Sequence, residues 1–85
     1  MRNTVNHPGI TLKMIIDGRG LSVRQAANQI GIGHVTLFNI VNAKTPITPA
    51  VAAKLQEWEE GFSAEAWLFA QGSHELNKIR EEATA

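Results

Sequence analysis

The sequence lacks cysteine and tyrosine, and it has no long apolar run. The absence of cysteine excludes disulfide frameworks, thiol catalysis and cysteine-ligated zinc. A transmembrane helix needs roughly 18 consecutive apolar residues, and none is present. The N-terminus also lacks the apolar stretch of a signal peptide, so a cytoplasmic location is expected. At 85 residues the chain is expected to form one domain over 1–85, with little room for a large catalytic cavity.

The formal net charge is zero, but the charges are distributed unevenly along the chain. Residues 1–54 hold six basic side chains against Asp17 alone, whereas residues 55–85 hold two basic side chains against seven glutamates. A basic first part favours a polyanion such as DNA as a partner, and an acidic second part favours a basic protein. The alternative is that solvated helix faces differ by chance.

The spacing of apolar residues predicts an all-α fold with five helices. Apolar side chains recur at helical spacing, as at Leu37, Ile40 and Val41, and do not alternate with polar ones. No Asn-Gly or Asp-Gly pair signals a hairpin. The expected helices begin near Gly9, Ser22, His34, Thr48 and Ser63.

Capping residues set several of the expected helix boundaries. Ser22 and Gln25 have the spacing of a capping box, in which each side chain bonds the other residue's backbone N–H. Gly31 suits the left-handed conformation that ends many helices. Thr48 is a predicted N-cap, and Pro49 follows it at the first helical position, where its missing N–H costs nothing.

The C-terminal third is predicted to hold the end of the fourth helix and all of the fifth. The fourth helix is expected to end near Gly61, and the fifth to span about 63–80, with Gly72 bending or ending it. Residues 81–85 are expected to fray. The apolar positions expected to face inward on the fifth helix are Trp67, Leu68 and, as further candidates, Leu76 and Ile79.

The tryptophans and a glutamate run are the candidates for protein contacts. Trp58 and Trp67 are expected to be core or dimer contacts rather than a ligand cage. The run of Glu57, Glu59 and Glu60 is either a solvated face or a contact with a partner protein. The predicted dimer or partner residues are Trp58, Trp67, Glu57 and Glu60.

The sequence gives no support for an enzyme, a metal site or a cofactor. His74-Glu75 resembles the start of a zinc-protease motif, but the second histidine of that motif is replaced by Lys78. Ser22 is explained by capping, and no nucleophile–base spacing is present.

Two short helices joined by Gly31-Ile32-Gly33 predict a helix-turn-helix over about 22–42. Ala27 is small where the two helices would approach each other. Leu37 and Ile40 would anchor the second helix, so its opposite face would point outward and could lie in a DNA major groove. The predicted base-reading residues on that face are His34, Val35, Thr36, Phe38 and Asn39.

Several of these residues have alternative roles that the sequence leaves open. Phe38 could contact a thymine methyl group, contact a partner subunit, or turn into the core. Asn42 could cap the second helix of the helix-turn-helix pair or reach a phosphate. His34 and Asn39 could contact DNA or be ordinary surface residues.

A set of residues in and around this segment occurs in a characteristic order and spacing. Its central part is Leu21-Ser22, Ala27, Ile30-Gly31-Ile32, Leu37 and Ile40-Val41-Asn42-Ala43-Lys44. Its flanking part is His7-Pro8-Gly9, Ile47-Thr48-Pro49, Ala66-Trp67-Leu68 and Gln71. The central part resembles the lambda-repressor-like (XRE) domains, and the flanks are similar to HigA-type antitoxins, also called the VapI family.

This resemblance covers about 6–79 and implies a compact five-helix DNA-binding domain. It further implies a homodimer formed through the C-terminal part, binding to a palindromic operator, and repression of the protein's own operon. The implied second partner is a cognate toxin, typically a small basic ribonuclease that cleaves mRNA. Inhibition would occur by bound contact.

The sequence departs from the family pattern at three positions. Val23 stands where many XRE domains have glutamine, Ala43 where the family has a glycine that eases a turn, and Thr45 where it has an arginine. The predicted recognition helix also contains no Arg or Lys, which excludes bidentate Arg–guanine contacts from it and favours A·T-leaning recognition. The predicted phosphate contacts are Arg24, Gly33 (through backbone N–H), Asn42 and Lys44.

The function indicated by the resemblance is a DNA-binding antitoxin. The alternatives are a stand-alone helix-turn-helix regulator of phage or plasmid type, and a toxin-binding module with weak DNA affinity.

Overall fold

In a computed structural model that describes residues 7–84, with Thr84 described in its backbone alone, the chain forms five α-helices and no strand. The predicted all-α, five-helix architecture is confirmed. Arg2, which counts toward the basic first part, lies outside the described residues. The helices are α1 (Pro8–Gly18), α2 (Val23–Ile30), α3 (His34–Val41), α4 (Pro49–Trp58) and α5 (Ala64–Thr84).

Local capping chemistry explains where α2 and α4 begin. The Ser22 hydroxyl accepts a hydrogen bond from Gln25 N at 3.1 Å, and Gln25 Oε1 accepts one from Ser22 N at 2.9 Å, which completes the expected capping box. The Thr48 hydroxyl accepts from Val51 N at 3.3 Å, with Pro49 at the first helical position. These side chains satisfy backbone donors that a helix start would otherwise leave without partners.

One C-terminal motif ends α1, α2 and α3. In each, a residue one or two positions after the helix has positive φ, and the next backbone N–H donates to a carbonyl in the last turn. The residues with positive φ are Gly20 (69°), Gly31 (91°) and Ala43 (58°). Ala43 differs from the two glycines, because it has a Cβ that makes the left-handed conformation costly. At the position where the resemblance to the XRE domains leads one to expect glycine, this chain has an alanine in the left-handed conformation.

Ala43→Gly is accordingly expected to raise the free energy of unfolding by about 0.5–1 kcal/mol. The opposite change, Gly31→Ala, is expected to lower it by about 1 kcal/mol, since a Cβ there meets no atom within 4 Å and only the backbone strain remains. Urea unfolding of both variants measures these effects. If the two substitutions both raised or both lowered the free energy of unfolding, this explanation would be contradicted.

The α4–α5 connection differs from the sequence prediction. Helix α4 ends at Trp58 rather than near Gly61, because Glu59 takes an extended conformation. The Glu59 carboxylate then accepts bonds from the Arg19 guanidinium at 2.6 Å and from Gly61 N at 3.2 Å. These bonds hold the connection in a turn that sequence spacing alone did not indicate.

The alternative that α5 ends at Gly72 is wrong, and the helix extends past Glu81. Helix α5 continues through both positions to Thr84. Fraying of residues 81–85 stays a prediction, and Ala85 lies outside the described residues. A glycine inside a helix costs about 1 kcal/mol, which is too little to end a long helix that is anchored on both sides. Buried Gln71 anchors the helix just before Gly72, and the ring of His74 meets the ring of His7 just after it. Leu76 and Ile79, offered as inward-facing candidates, are exposed instead.

The core lies where α1, α2, α3 and α4 meet under the first half of α5. Ala26 and Ala27 are fully buried, in agreement with the need for small residues on α2. Phe62, just before the Ser63 cap, packs on Trp67 at a ring-centroid distance of 5.1 Å, as a hydrophobic staple does. The remaining core residues are Leu12, Ile16, Ile30, Leu37, Ile40, Val41, Ile47, Val51, Ala52 and Leu55.

Helix α1 lies directly on the backbone at the end of α3. A Cβ built on Gly9 would lie 1.9 Å from the carbonyl oxygen of Ile40, so only glycine fits there. His7 caps α1 by accepting a hydrogen bond from Gly9 N on Nδ1 at 2.9 Å. The His7-Pro8-Gly9 motif thus fixes α1 against α3.

Candidate nucleic-acid interface

The α2–α3 turn is closed by backbone bonds and by one side chain from α4. The N–H groups of Gly31 and Ile32 both donate to the Ala27 carbonyl, at 2.8 and 3.1 Å. Ile32 then packs, half-buried, against the core. Lys54 Nζ donates to the Gly31 carbonyl at 2.9 Å. The turn that leads into α3 is therefore held by α2 and by Lys54 of α4.

The sequence did not predict a role for Lys54, because its bond to Gly31 depends on how α4 packs and not on a local pattern. The same holds for Gln29, whose Oε1 accepts a hydrogen bond from Trp58 Nε1 at 2.9 Å. Both contacts join α4 to the helix-turn-helix segment.

Helix α3 has one buried and one solvent-facing side, as the spacing predicted. Leu37, Ile40 and Val41 are buried. Of the expected outward residues, four are exposed and Asn39 is half-buried. The exposed residues are His34, Val35, Thr36 and Phe38.

Phe38 does not turn into the core, which removes one of its three alternatives. Its side chain is 50% exposed, and the Lys44 ammonium lies 5.8 Å from the ring centroid, within range of a cation–π contact. An exposed aromatic ring beside a lysine leaves the other two alternatives, DNA and a partner subunit.

The candidate phosphate contacts lie at both ends of this surface. Arg24 is exposed in the first turn of α2, and Lys44 is exposed just beyond α3. Gly33 precedes α3 without a side-chain cap, so the first N–H groups of α3 have no side-chain acceptor of the capping type. Asn42 acts as the expected cap, with Nδ2 donating to the Phe38 carbonyl at 2.8 Å. Its contact with phosphate stays a prediction.

The helix-turn-helix segment carries no negative side chain of its own. The chain has no acidic residue between Asp17 and Glu57.

The contrast between the basic and acidic parts of the sequence is nevertheless reduced in the fold. Arg19 lies 4.0 Å from the Trp58 ring centroid and pairs with Glu59, and Lys13 pairs with Asp17 at 2.6 Å. Arg24 and Lys44 are thus the basic residues beside the exposed side of α3.

The two tryptophans separate into different environments. Trp67 is 2% exposed and belongs to the core, so it is not available to a partner on this monomer. Trp58 is half-buried between Arg19 and Gln29. Glu57 and Glu60 are exposed, as a partner contact or a solvated face requires.

Helix α5 has an exposed apolar side along its length. Phe69, Leu76 and Ile79 are exposed, and Phe69 is 77% exposed. These positions are spaced by seven and three residues, which places them on one stripe of the helix. Gly72 lies on the same stripe with open space where a Cβ would be, so a second helix could approach closely there.

A buried polar cluster connects α5 to the loop that carries Lys44. Gln71 Oε1 accepts a hydrogen bond from Ile47 N at 3.0 Å, and Gln71 Nε2 donates to Glu75 at 3.2 Å. The His7 ring meets His74 edge to face, with centroids 5.2 Å apart. Gln71, noted in the sequence as part of a family pattern, is thus a structural link between α5 and the α3–α4 loop.

The pKa of His7 is lowered from its ordinary value of 6.5, first by burial and then by the nearby His74. The unfolded chain therefore binds a proton at a pH where the fold does not. His7 contributes stability above pH 6.5 that is lost as the pH falls below it. Melting temperatures at pH 8 and 5.5 should show this loss, and His7→Asn should reduce it while keeping a capping oxygen. An equal loss in that variant would contradict the assignment to His7.

Neither a metal site nor a membrane span is found in the described part of the chain. Over residues 7–84 no three His, Asp or Glu side chains are grouped so that they could hold a metal ion. None of the described helices is long and apolar enough to span a membrane.

The structure is that of an all-α protein with a helix–turn–helix segment. One side of the second helix of that segment, α3, is exposed to solvent. The fold is shared with an antidote protein of a plasmid maintenance system from Nostoc punctiforme, with a TM-score of 0.89, 22% identity, and coverage of 96% of this chain and 89% of that chain. A HigA-family addiction-module antidote protein from Coxiella burnetii gives a TM-score of 0.85, 23% identity, and coverage of 96% and 89%. A Pseudomonas aeruginosa protein crystallised with its 18-bp operator DNA gives 0.80, 21%, and coverage of 93% and 84%.

The chain belongs to the virulence-associated protein A family. It is 38% identical over 74 residues to virulence-associated protein A of Dichelobacter nodosus, a match covering 86% of this chain and 72% of that protein. It is 30% identical over 76 residues to virulence-associated protein A′ of the same organism, covering 89% of this chain and 66% of that protein. No protein-family model matches the sequence.

Proposed function

We propose that this protein is a DNA-binding antitoxin that represses its own operon and neutralises a ribonuclease toxin by direct binding. The observation that carries the proposal is the exposed side of α3. It lies on the second helix of a helix–turn–helix segment, with Arg24 and Lys44 beside it and no acidic residue in the segment. The operator complex of the Pseudomonas aeruginosa neighbour supports this use of the fold.

In this proposal α3 enters the major groove and reads base edges. Backbone N–H groups at Gly33, together with Arg24, Asn42 and Lys44, contact phosphates and fix the register. Asn39 is the residue suited to an adenine edge, because its amide can donate and accept at once. The base-reading set is His34, Val35, Thr36, Phe38 and Asn39.

In this proposal the protein is a homodimer, and its two subunits contact each other through the exposed apolar stripe of α5. The stripe holds three exposed apolar side chains in a row, and Gly72 leaves room for a second helix to approach. A twofold dimer reads a palindrome, with half-sites about 34 Å apart, one helical turn. Trp67 takes no part in this contact, since it is buried.

The proposed toxin contact uses the acidic part of the surface. Glu57 and Glu60 are exposed near the end of α4, next to Trp58. A small basic ribonuclease would meet complementary charge there. We place both interactions in the cytoplasm, where DNA and mRNA are accessible.

The second candidate is a toxin-binding module with weak DNA affinity. It is favoured by the absence of Arg and Lys from α3, which leaves two exposed cations beside the recognition surface. The slope of log affinity against log salt concentration separates the candidates, because each phosphate contact adds about one unit to it.

Lys44→Ala is expected to weaken binding to all duplexes similarly and to reduce the salt slope by about one unit. Lys13→Ala removes the same charge from α1, where Lys13 pairs with Asp17, and should leave the slope closer to that of the unmodified protein. Asn39→Ala should instead relax preference at one base position, at a cost of about 1–3 kcal/mol. A Lys44→Ala slope identical to the unmodified one would remove Lys44 from the phosphate contacts.

The toxin part is tested separately by co-expression with the neighbouring open reading frame. The proposal expects the two chains to co-purify and growth arrest by the neighbour to be relieved. The double variant Glu57→Lys, Glu60→Lys should release the neighbour and restore the arrest. Full relief of the arrest by that variant would rule out this acidic surface.

A further inference from the structure

Two apolar side chains dominate the exposed surface of α3. Val35 is 61% exposed, and Phe38 is 50% exposed. They are three residues apart, so they lie on the same face about one turn from each other. Neither is needed for the core, because Leu37, Ile40 and Val41 fill the buried side of the helix. The fold thus keeps an apolar pair exposed on the side of α3 that is proposed to enter the major groove.

A cation lies beside the Phe38 ring, at the end of α3. Asn42 bonds the Phe38 carbonyl, and the Lys44 ammonium lies near the ring. The flanking charges are cations, and the segment from 18 to 56 contains no acid. An apolar pair flanked by cations fits an apolar group that sits beside phosphates, and it does not fit the basic surface of a protein.

The major groove offers one apolar group, the C5-methyl of thymine. Cytosine has a hydrogen at the same carbon, and 5-methylcytosine carries the methyl group there. Guanine is read best by Arg or Lys, which α3 lacks. The chemistry of this surface therefore suits a pyrimidine methyl group rather than a guanine edge.

We infer that Val35 and Phe38 form a reader of pyrimidine C5-methyl groups, so that thymine and 5-methylcytosine are recognised alike and uracil and cytosine are not. This inference rests on the proposed DNA-binding function and specifies what α3 recognises. It makes operator affinity sensitive to cytosine methylation wherever a half-site places a cytosine under this pair.

The test uses duplexes of the DNA immediately upstream of this gene, with deoxyuridine substituted for thymidine one position at a time. Loss of a contacted methyl group should weaken binding about fourfold, the equivalent of burying one carbon. At such a position cytosine should also bind weakly, and 5-methylcytosine should recover about fourfold over cytosine.

Matched variants assign the effect to residues. Val35→Ala and Phe38→Ala should each bring the thymine-to-uracil affinity ratio toward one at a specific position. Met14→Ala removes a side chain of similar exposure from α1 and should leave the ratio unchanged. Circular dichroism checks that all three variants fold, and exposed positions on α3 and α1 are expected to tolerate alanine.

The outcomes separate this inference from the function on which it rests. Selective operator binding with a thymine-to-uracil ratio of one at every position would overturn the methyl reader and leave the DNA-binding proposal standing. A ratio that persists in both α3 variants would overturn the assignment to Val35 and Phe38. Failure to bind any duplex would overturn both proposals.

Discussion

Gly9→Ala is expected to lower the free energy of unfolding by at least about 3 kcal/mol, the upper range for overpacking. The added methyl group would lie 1.9 Å from the Ile40 carbonyl oxygen, which is backbone and cannot turn away. Helix α1 would have to move off α3, and the His7 cap and its link to α5 would move with it. Small domains have about 5–15 kcal/mol in total, so a large share would be lost.

Gly18→Ala is the matched control for this experiment, because Gly18 ends the same helix. No atom lies within 4 Å of a Cβ built on Gly18, and its φ is not positive. Alanine there should leave stability unchanged or raise it by about 0.5–1 kcal/mol. Chemical denaturation gives both values. Equal stabilities for the two variants would show that α1 does not lie on the α3 backbone as described.

Trp67→Ala is expected to cost about 3–5 kcal/mol, because it empties a large buried volume between α5 and α4. Trp67 is 2% exposed and also holds Phe62 in the staple that begins α5. Loss of the indole would therefore loosen both the core and the start of the helix. The same denaturation measurement applies, with circular dichroism at 222 nm, roughly the helical minimum, following α5.

Trp67→Phe separates packing from hydrogen bonding at this site. The indole N–H is buried and has no hydrogen-bond partner. Removing it forfeits no bond and relieves an unsatisfied donor, which offsets the smaller ring. We expect a net change within about 1 kcal/mol. A loss comparable to that of Trp67→Ala would indicate that the N–H is bonded in solution.

Local signals in the sequence were sufficient for the helix starts. Ser22 with Gln25, and Thr48 with Pro49, act within one helical turn, so their roles do not depend on the rest of the fold. The buried and exposed sides of α3 also followed from spacing alone. The left-handed conformation of Ala43 was not predicted, because the Cβ of alanine disfavours it.

Long-range contacts decided the features that sequence reasoning missed. Arg19 reaches Glu59 across the fold and fixes where α4 ends, and Lys54 bonds the Gly31 carbonyl. Neither pair is close in sequence, so no periodicity or cap reveals it. The alternative that α5 ends at Gly72 weighed the glycine by its intrinsic propensity, whereas contacts of Gln71 and His74 on either side of it belong to one continuous helix.

The sequence predicted which residues of the proposed base-reading surface of α3 are exposed, but it did not predict that Lys44 lies beside that surface. Exposure of His34, Val35 and Thr36 followed from helical spacing. The position of Lys44 near the Phe38 ring depends on the turn at Ala43, which brings the chain back beside α3. The structure therefore narrows the roles of Phe38, and the contacts with bases stay predictions.

The central claim, that the exposed side of α3 binds operator DNA, is tested most directly by a binding titration. The duplex is the DNA immediately upstream of this gene, an unrelated duplex is the control, and both are measured at two salt concentrations. We predict selective binding that weakens steeply with salt, since several phosphate contacts release counterions. Equal affinity for the two duplexes, or affinity that does not change with salt, would contradict the claim.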